Sequence, residues 1–310
     1  MGIYLQSATL KVYATNGGGM RKLDSSNSGS FYCFHVQGPT NYTYAKLEIY
    51  GGNFVGYPTA VNMQKGSATI YGGTFSSGTS ETRYVLNRTE KSTASSAKII
   101  VAGGDFVDFN PANNASDGEG TSYMKEGYSA YSYEKEGKQV YRALNTMDIS
   151  YLDGNYSTDL GMRILLKQES LNIYRDLGYT LTLKTKKALY SGDEVVNYEE
   201  VATNFLDYTS TVNEAVYEVA GFNGIKFYEM TSEITCSLVA VDPTGIELTT
   251  DTITVTYANY AKKAMEQYQG QEDKQTKIEI IKQLLILGGL AQTDMNYHMS
   301  DLASSYVPAA

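Results

Sequence analysis

Apolar and polar residues alternate along two long parts of the chain, and the two parts carry different turn signals. In the first part, short alternating segments end at paired glycines. In the second, from about residue 145, alternating segments such as residues 180–184 and 237–241 are separated by polar turns. Alternation with a period of two is the pattern of strands with one buried face. The pattern predicts a mostly β protein with two differently built regions.

The first region contains an internal repeat. Its copies are LEIYGGNF at residues 47–54, ATIYGGTF at residues 68–75 and IIVAGGDF at residues 99–106, with a looser copy, LKVYA, at residues 10–14. Each full copy is a short strand, a Gly-Gly corner, one polar residue and a phenylalanine. Glycine adopts the positive φ that sharp corners require. The repeat predicts a right-handed parallel β-helix with its phenylalanines stacked inside, and a glycine-rich antiparallel sheet is the alternative.

This ordered set of copies, followed by an Asn/Pro loop at residues 108–114, resembles the pectate-lyase-like β-helices of large surface proteins from gut Firmicutes and their phages. In that family a final coil gives way to such a loop and to a strand that leaves the stack. The resemblance covers about residues 30–130. Residues 1–14 have the pattern of a strand without a preceding cap. We therefore expect the N-terminal end of the β-helix to be incomplete, or docked on further coils or on another chain.

The second region predicts an antiparallel β-sandwich followed by a C-terminal helix pair. Its alternating segments are residues 162–166, 180–184, 216–219, 237–241 and 252–257. Helical stripes follow, the first ending at Gly270 and the second beginning near Asp273. Residues 147–305 resemble a module of Firmicute surface proteins in which strands precede a helix pair. That resemblance implies a fold and a surface location but no chemistry.

Together these patterns predict four segments. They are a parallel β-helix at residues 1–128, a connecting segment at 129–145, a β-sandwich at 146–257 and a helical tail packed on the sandwich at 258–310.

Charge and composition narrow the range of partners. The 310 residues include 25 Lys and Arg against 34 Asp and Glu, a formal charge of −9. An acidic surface repels phosphate backbones and anionic lipid, so we expect no nucleic-acid partner and no membrane insertion. The two cysteines are far apart, as are the two histidines, and neither a disulfide scaffold nor a Cys/His metal pattern results. An extracellular, cell-surface or virion location is expected, with the export signal outside this chain.

The resemblance to pectate-lyase-like proteins implies one candidate for catalysis. Such lyases place an acidic calcium cluster and an arginine base on one sheet of the β-helix. The matching residues are Asp105 and Asp108, with Arg83 or Arg88 one coil below. Calcium takes six to eight oxygen ligands, and two carboxylates supply few of them. Polar residues also occupy the corner position of Asp105 in the other copies. The sequence therefore favours structural aspartates, no catalytic residue and no cofactor, with bound calcium as the alternative.

Tyrosine is abundant, at 28 residues against 9 phenylalanines and no tryptophan. A tyrosine ring can stack on a sugar while its hydroxyl forms hydrogen bonds. The candidates for carbohydrate contact, in or beside the predicted stacked strands, are Tyr42, Tyr44, Tyr50, Tyr57 and Tyr71. The simpler interpretation is that tyrosine suits half-buried strands. We therefore expect at most weak binding to a polysaccharide or to a host or cell-surface glycan.

The sequence as a whole predicts a non-catalytic extracellular surface, adhesion or stalk protein. One alternative is a polysaccharide lyase or glycoside-cleaving enzyme of pectate-lyase-like fold, or the accessory region of such an enzyme. A further alternative is a structural component of a phage tail or fibre.

Overall fold

The computed structural model describes residues 2–14, 17–22, 29–37, 45–89, 97–114, 116–156, 160–250 and 252–308, with residues 151–156 described by their backbone alone. Of the structure, 49% is β-strand and 19% is helix, so the predicted mostly β class with a helical C-terminal part is confirmed. The chain divides into two compact units, Met1–Thr146 and Met147–Ala310. No helix within the described ranges has the length and apolar character needed to cross a membrane.

The first unit consists of short strands, most of them in parallel pairs. They are β1 (Ile3–Leu5), β2 (Thr9–Tyr13), β3 (Gly19–Arg21), β4 (Phe34–Gln37), β5 (Lys46–Gly51), β6 (Asn53–Gly56), β7 (Val61–Ile70), β8 (Thr74–Ser77), β9 (Leu86–Arg88), β10 (Ala97–Val101), β11 (Gly104–Val107), β12 (Tyr128–Lys135) and β13 (Lys138–Asn145).

The parallel strands form three stacks. One contains β1, β4, the first half of β7 and β9, and the second contains β2, β5, the second half of β7 and β10. The third contains β3, β6, β8 and β11. The chain passes through the three stacks in the same order four times. This order is why the repeat recurs in the sequence.

The repeat sets the register of the third stack. Phe54 pairs with Phe75, and Phe75 with Phe106. Both ring pairs are stacked, with centroids 5.2 Å apart, and all three rings are buried. The predicted internal stack of phenylalanines is therefore confirmed. The second glycine of each corner has a positive φ, 121° at Gly52 and 106° at Gly73, because the chain changes direction there between two strands.

The two ends of the stacks differ in burial. At the end formed by β11, Phe109 and Tyr123 are buried, and the backbone of Tyr123 accepts a hydrogen bond from the Val101 amide at 2.8 Å. At the other end, Leu10 and Val12 are only half-buried, although they pair with Leu47 and Ile49, which are fully buried. The apolar interior is thus covered at one end and partly exposed at the other.

An antiparallel hairpin follows the stacks and is formed by β12 and β13. The sequence predicts only a connecting segment here, at residues 129–145. Strands β12 and β13 pair along their full length, and β13 pairs with β11, from Gly104 to Val107. Tyr131 and Tyr133 are buried on one face of the hairpin. The buried face of β12 consists of tyrosines that alternate with serine and charged residues. This strand therefore lacks the aliphatic pattern that marks the other strands in the sequence.

The second unit contains antiparallel strands and three α-helices among its described residues. The elements are β14 (Ile149–Tyr156), β15 (Leu160–Lys167), α1 (Gln168–Asp176), β16 (Thr180–Ser191), β17 (Glu194–Glu200), β18 (Asn204–Val212), β19 (Ala215–Ile225), β20 (Ile234–Val241), β21 (Glu247–Thr249), β22 (Ile253–Val255), α2 (Tyr257–Tyr268) and α3 (Gln275–Met295), with 3₁₀ turns at Phe227–Glu229, Glu272–Lys274 and Ala303–Tyr306.

These strands form two antiparallel sheets. One has the order β14-β15-β19-β18, and the other has the order β17-β16-β20-β21, with β22 also paired to β20. Each of the five alternating segments seen in the sequence contributes to a strand. The sequence predicts neither helix α1 nor strands β17, β18 and β21. Every residue of β17 is exposed, so this strand has no alternation between buried and exposed positions.

The two predicted helices of the tail are present as α2 and α3. The Thr256 side chain caps α2 by accepting a hydrogen bond from the Asn259 amide at 3.1 Å. Gly288 of α3 packs closely, since a Cβ there would lie 2.4 Å from the sulfur of Met230. Gln292, which is fully buried, donates to Thr231 at 2.9 Å and accepts from the Ala303 amide at 2.7 Å. These contacts fix α3 against the 3₁₀ turn that precedes β20.

Candidate functional site

A ladder of tyrosines lies on the outside of the second stack. The rings of Tyr13 and Tyr50 are parallel, with centroids 4.6 Å apart and an interplanar angle of 8°. Tyr50 and Tyr71 are parallel as well, at 4.8 Å and 12°. The ladder forms because the repeat places these residues at equivalent positions in successive parallel strands. Two of the five predicted carbohydrate contacts, Tyr50 and Tyr71, therefore stack on each other.

A cluster of charges lies beside the ladder. Glu48 accepts from Lys46 at 2.6 Å and from Lys11, on the neighbouring strand, at 3.3 Å. The Tyr50 hydroxyl donates to Glu48 at 3.2 Å. The hydrogen bond from Lys46 lowers the pKa of the Glu48 carboxyl. Loss of solvent around the ring, together with the bond to Glu48, raises the pKa of Tyr50 to about 12, so its phenol stays neutral at physiological pH.

The stacking limits how the ladder can contact a sugar. Both faces of Tyr50 are covered by its neighbours, at 4.6 and 4.8 Å. The repeat places Ala102 at the next equivalent position, so Tyr71 is the last ring of the ladder. Tyr71 is 44% exposed and Tyr13 is 61% exposed. Only the outer faces of these two terminal rings can accept a sugar ring, and the ladder is mainly a structural column.

The remaining tyrosine candidates do not join this ladder. Tyr57 directly follows β6, where its backbone exchanges hydrogen bonds with Phe31 and the Lys22 ammonium lies 5.3 Å from its ring centroid. Tyr42 and Tyr44 lie outside the described residues.

The first lyase candidate, Asp105, is engaged in a structural ion pair. Its carboxylate accepts from Arg142 Nε at 2.7 Å and from Nη2 at 3.0 Å. The Tyr133 hydroxyl donates to the same carboxylate at 3.1 Å. These bonds connect β11 to the β12–β13 hairpin. Two-point pairing with arginine fixes the carboxylate in one orientation.

The other lyase candidates contact different groups. Asp108 has a φ of 52°, and its carboxylate accepts from the Gln139 amide at 3.2 Å. Arg83 forms a two-point pair with Glu81, at 2.9 and 2.8 Å, and this bond raises the pKa of the guanidinium. The alternative arginine, Arg88, pairs with Asp117. Each of the four candidates therefore has a different partner, and the contacts described here join no two of them.

The acidic loop that follows β11 is organised by hydrogen bonds. Asn114 is fully buried and accepts from the Asp117 amide at 2.9 Å. Asp117 pairs with Arg88 at 2.5 Å, and the Tyr123 hydroxyl donates to it at 2.9 Å. Within the described part of the chain, no group of three or more His, Cys, Asp and Glu side chains is arranged to hold a metal ion.

A groove in the second unit brings together four tyrosines that are not among the five predicted carbohydrate contacts. The groove has a volume of about 640 Å³ and is lined by Tyr190 of β16, Tyr198 of β17, Tyr228 of the 3₁₀ turn and Tyr297, which follows α3. The Tyr228 and Tyr297 rings meet edge to face with centroids 5.0 Å apart. Tyr198 is 57% exposed, whereas Tyr297 is 7% exposed. Tyr297 therefore forms the floor and Tyr198 an open wall.

Beside this groove, one lysine forms ion pairs with two glutamates. The Lys187 ammonium lies 2.7 Å from Glu229 and 3.0 Å from Glu199. Lys187 and Glu229 are buried, while Glu199 is about half exposed. Burial opposes the charged form of Lys187, but hydrogen bonds to both carboxylates outweigh burial and raise its pKa. The same bonds lower the pKa of Glu199.

No family model, no curated protein and no solved structure matches this chain.

Proposed function

We propose that the chain is a non-catalytic extracellular surface, adhesion or stalk protein. In this proposal the first unit is a right-handed parallel β-helix and the second a β-sandwich with packed helices. The observation that carries it is the regular passage of the chain through three parallel stacks, with a continuous buried column of Phe54, Phe75 and Phe106. Such a stack is stiff along its axis because each coil is hydrogen-bonded to the next.

The engagement of the candidate catalytic groups supports a structural role. A catalytic carboxylate needs access to substrate or metal, whereas Asp105 is held by Arg142 and Tyr133. A catalytic arginine needs access to a substrate proton, whereas Arg83 is paired with Glu81. Both pairs serve the local fold.

The half-buried residues at the first strands support the proposal that the stack continues. Among the described residues, β1, β2 and β3 each end a stack. Their inward-facing Leu10, Val12 and Met20 are less buried than the residues beneath them. Further β-helix coils, or another chain, would cover these side chains and pair with the free strand edges.

The resemblance to pectate-lyase-like surface proteins of gut Firmicutes and their phages supports the proposal that this module lies at a cell surface or on a virion. Weak contact with a polysaccharide or a surface glycan belongs to the same proposal.

Native electrophoresis through gels cast with plant, mucin and bacterial polysaccharides, in the presence of calcium, tests the absence of catalysis. We expect the polysaccharide to remain intact along the track, whether or not migration slows. Clearing of the polysaccharide by the wild type would overturn the proposal, and loss of that clearing in Asp105→Asn would assign the catalysis to this carboxylate. If the role of Asp105 is structural, Asp105→Asn lowers the melting temperature and changes nothing in the gel, because it weakens the pair with Arg142.

A further inference from the structure

We propose that the groove of the second unit binds a pyranose ring of a neutral glycan, with Tyr198 as the stacking ring. The inference deepens the proposed function and rests on its glycan-binding part, since it names the surface through which such a protein holds a sugar. The surface is separate from the tyrosine ladder in both residues and unit.

The shape and lining of the groove fit a sugar. Its volume of about 640 Å³ lies within the range of roughly 300–1,000 Å³ typical of small-ligand sites. Tyr198 is 57% exposed and stands on β17, a strand at the edge of its sheet. An exposed aromatic face next to polar groups matches the apolar C–H face and the hydroxyl rim of a pyranose.

The charges around the groove favour a neutral ligand. Lys187 and Lys226 oppose Glu199 and Glu229, and the Lys226 amide also donates to Glu229 at 2.9 Å. These four described residues therefore carry no net charge. Glu233 and Asp301 add negative charge near Tyr190, so a carboxylated or sulfated sugar would gain little electrostatic attraction here. The exposed parts of Glu199 and Lys226 remain available to sugar hydroxyls.

The groove is held in shape before any ligand arrives. The Tyr297 hydroxyl lies 2.9 Å from Ser232 Oγ and donates to the Ala188 carbonyl at 3.3 Å. At the tip of the β16–β17 hairpin, Asp193 accepts from the Ser300 amide at 2.6 Å. A site whose walls are already fixed loses less entropy when it binds.

The other large cavity of this unit lacks such a platform. It measures about 830 Å³ and is lined by residues 181–186 and 200–205, with Phe205 as the one aromatic side chain in its lining. Thr185 and Thr203 on its wall bond to each other at 2.7 Å. An aromatic stacking surface with surrounding polar groups is therefore found in the tyrosine groove and not in this cavity.

Affinity electrophoresis of the full chain tests the proposal, with hydroxyethylcellulose, galactomannan and mixed-linkage β-glucan as neutral probes and polygalacturonate as the anionic probe. The variants are Tyr198→Ala in the groove, Tyr208→Ala as an exposed tyrosine elsewhere in the same unit, and Tyr71→Ala in the ladder. We expect at least one neutral polysaccharide to retard the wild type. Tyr198→Ala should weaken that binding by about tenfold, the usual scale for losing a central aromatic contact, while the two controls bind like the wild type.

Several results would overturn the proposal. They are retardation by polygalacturonate alone, no retardation by any neutral probe, or retardation lost in Tyr71→Ala and kept in Tyr198→Ala. Tyr198 is exposed, so we expect Tyr198→Ala to melt at the wild-type temperature, and circular dichroism checks this. Clearing of a polysaccharide would contradict the non-catalytic function but would not bear on binding in the groove. Failure of the proposed function and failure of the groove proposal are therefore distinguishable.

Discussion

Glu48 joins two lysines and a ladder tyrosine on the outer surface of the second stack. It contacts lysines of two successive strands and the hydroxyl of the central ladder tyrosine. Its side chain is only 7% exposed, so its charge is separated from most of the solvent. Lys46 and Lys11 neutralise it, and the three residues connect neighbouring strands that backbone bonds already hold in register. The pKa of Glu48 is lowered because folding supplies these partners.

Glu48→Gln should therefore destabilise the protein in a pH-dependent way. A carboxyl whose pKa falls on folding contributes stability above its usual value, near 4.5, and loses that contribution as the pH falls through the lowered pKa. We expect the variant to melt a few degrees below the wild type at pH 7 and the difference to vanish in strong acid. Thermal melts across this range measure it. Glu81→Gln, which removes an exposed pair with Arg83, should change the melting temperature less. A difference in melting temperature that stays constant with pH would contradict the stabilising role of the ionised Glu48 carboxylate.

At the scale of elements, the Gly-Gly corners control how closely neighbouring strands of a stack approach each other. A Cβ on Gly104 would lie 2.8 Å from the carbonyl oxygen of Gly73, one coil away, and Gly104 has a φ of 100°. Gly137, in the turn of the β12–β13 hairpin, also has a positive φ, 73°, but a Cβ there would meet nothing within 4 Å among the described residues. The two glycines share a backbone constraint and differ in the space around them.

Comparing Gly104→Ala with Gly137→Ala separates these two effects. Placing alanine at a positive φ costs about 1–2 kcal/mol, and Gly137→Ala should cost this alone. Gly104→Ala should cost clearly more, because the new methyl forces two backbones of the stack apart. Urea unfolding of both variants measures the free energies. Equal losses would mean that the corner needs glycine only for its φ.

These corners also explain why the stacked strands could be predicted from the sequence. The close approach demands glycine, and the buried column demands a large apolar residue two positions later, so each coil carries the same local pattern. Strand β17 lacks such a signal because all of its residues are exposed. The sequence also does not predict that β7 continues through Gly66 from the first stack into the second. A glycine at a bend within one strand and a glycine between two strands look alike in the sequence.

The groove was beyond prediction for a different reason. Tyr190 and Tyr198 lie on the two paired strands of one hairpin, but Tyr228 and Tyr297 reach the same groove from separate elements. In the sequence each is one of 28 tyrosines, and nothing local marks it. The repeat pointed instead to Tyr50 and Tyr71, which do come together, but with the stacking faces largely occupied by each other and by Tyr13.

At the scale of the whole molecule, each unit has a core of its own. The core of the first unit includes Phe75 and Ile70, both fully buried. The second unit buries Leu238 of β20 and Leu285 of α3 to the same degree. A unit with its own apolar core has the means to fold as a unit.

We therefore expect two calorimetric transitions that single core substitutions move separately. Phe75→Ala should cost about 3–5 kcal/mol through the cavity it leaves and lower the transition of the first unit alone. Leu285→Ala, at about 2–5 kcal/mol, should lower only the other. Differential scanning calorimetry of both variants, with Tyr208→Ala as a surface control, gives the assignment. If either core variant moved both transitions together, the two units would unfold as one cooperative body. Damage to the stacked strands would then also weaken the proposed glycan binding in the groove. Separate transitions mean that Phe75→Ala leaves retardation by a neutral polysaccharide unchanged below its melting temperature.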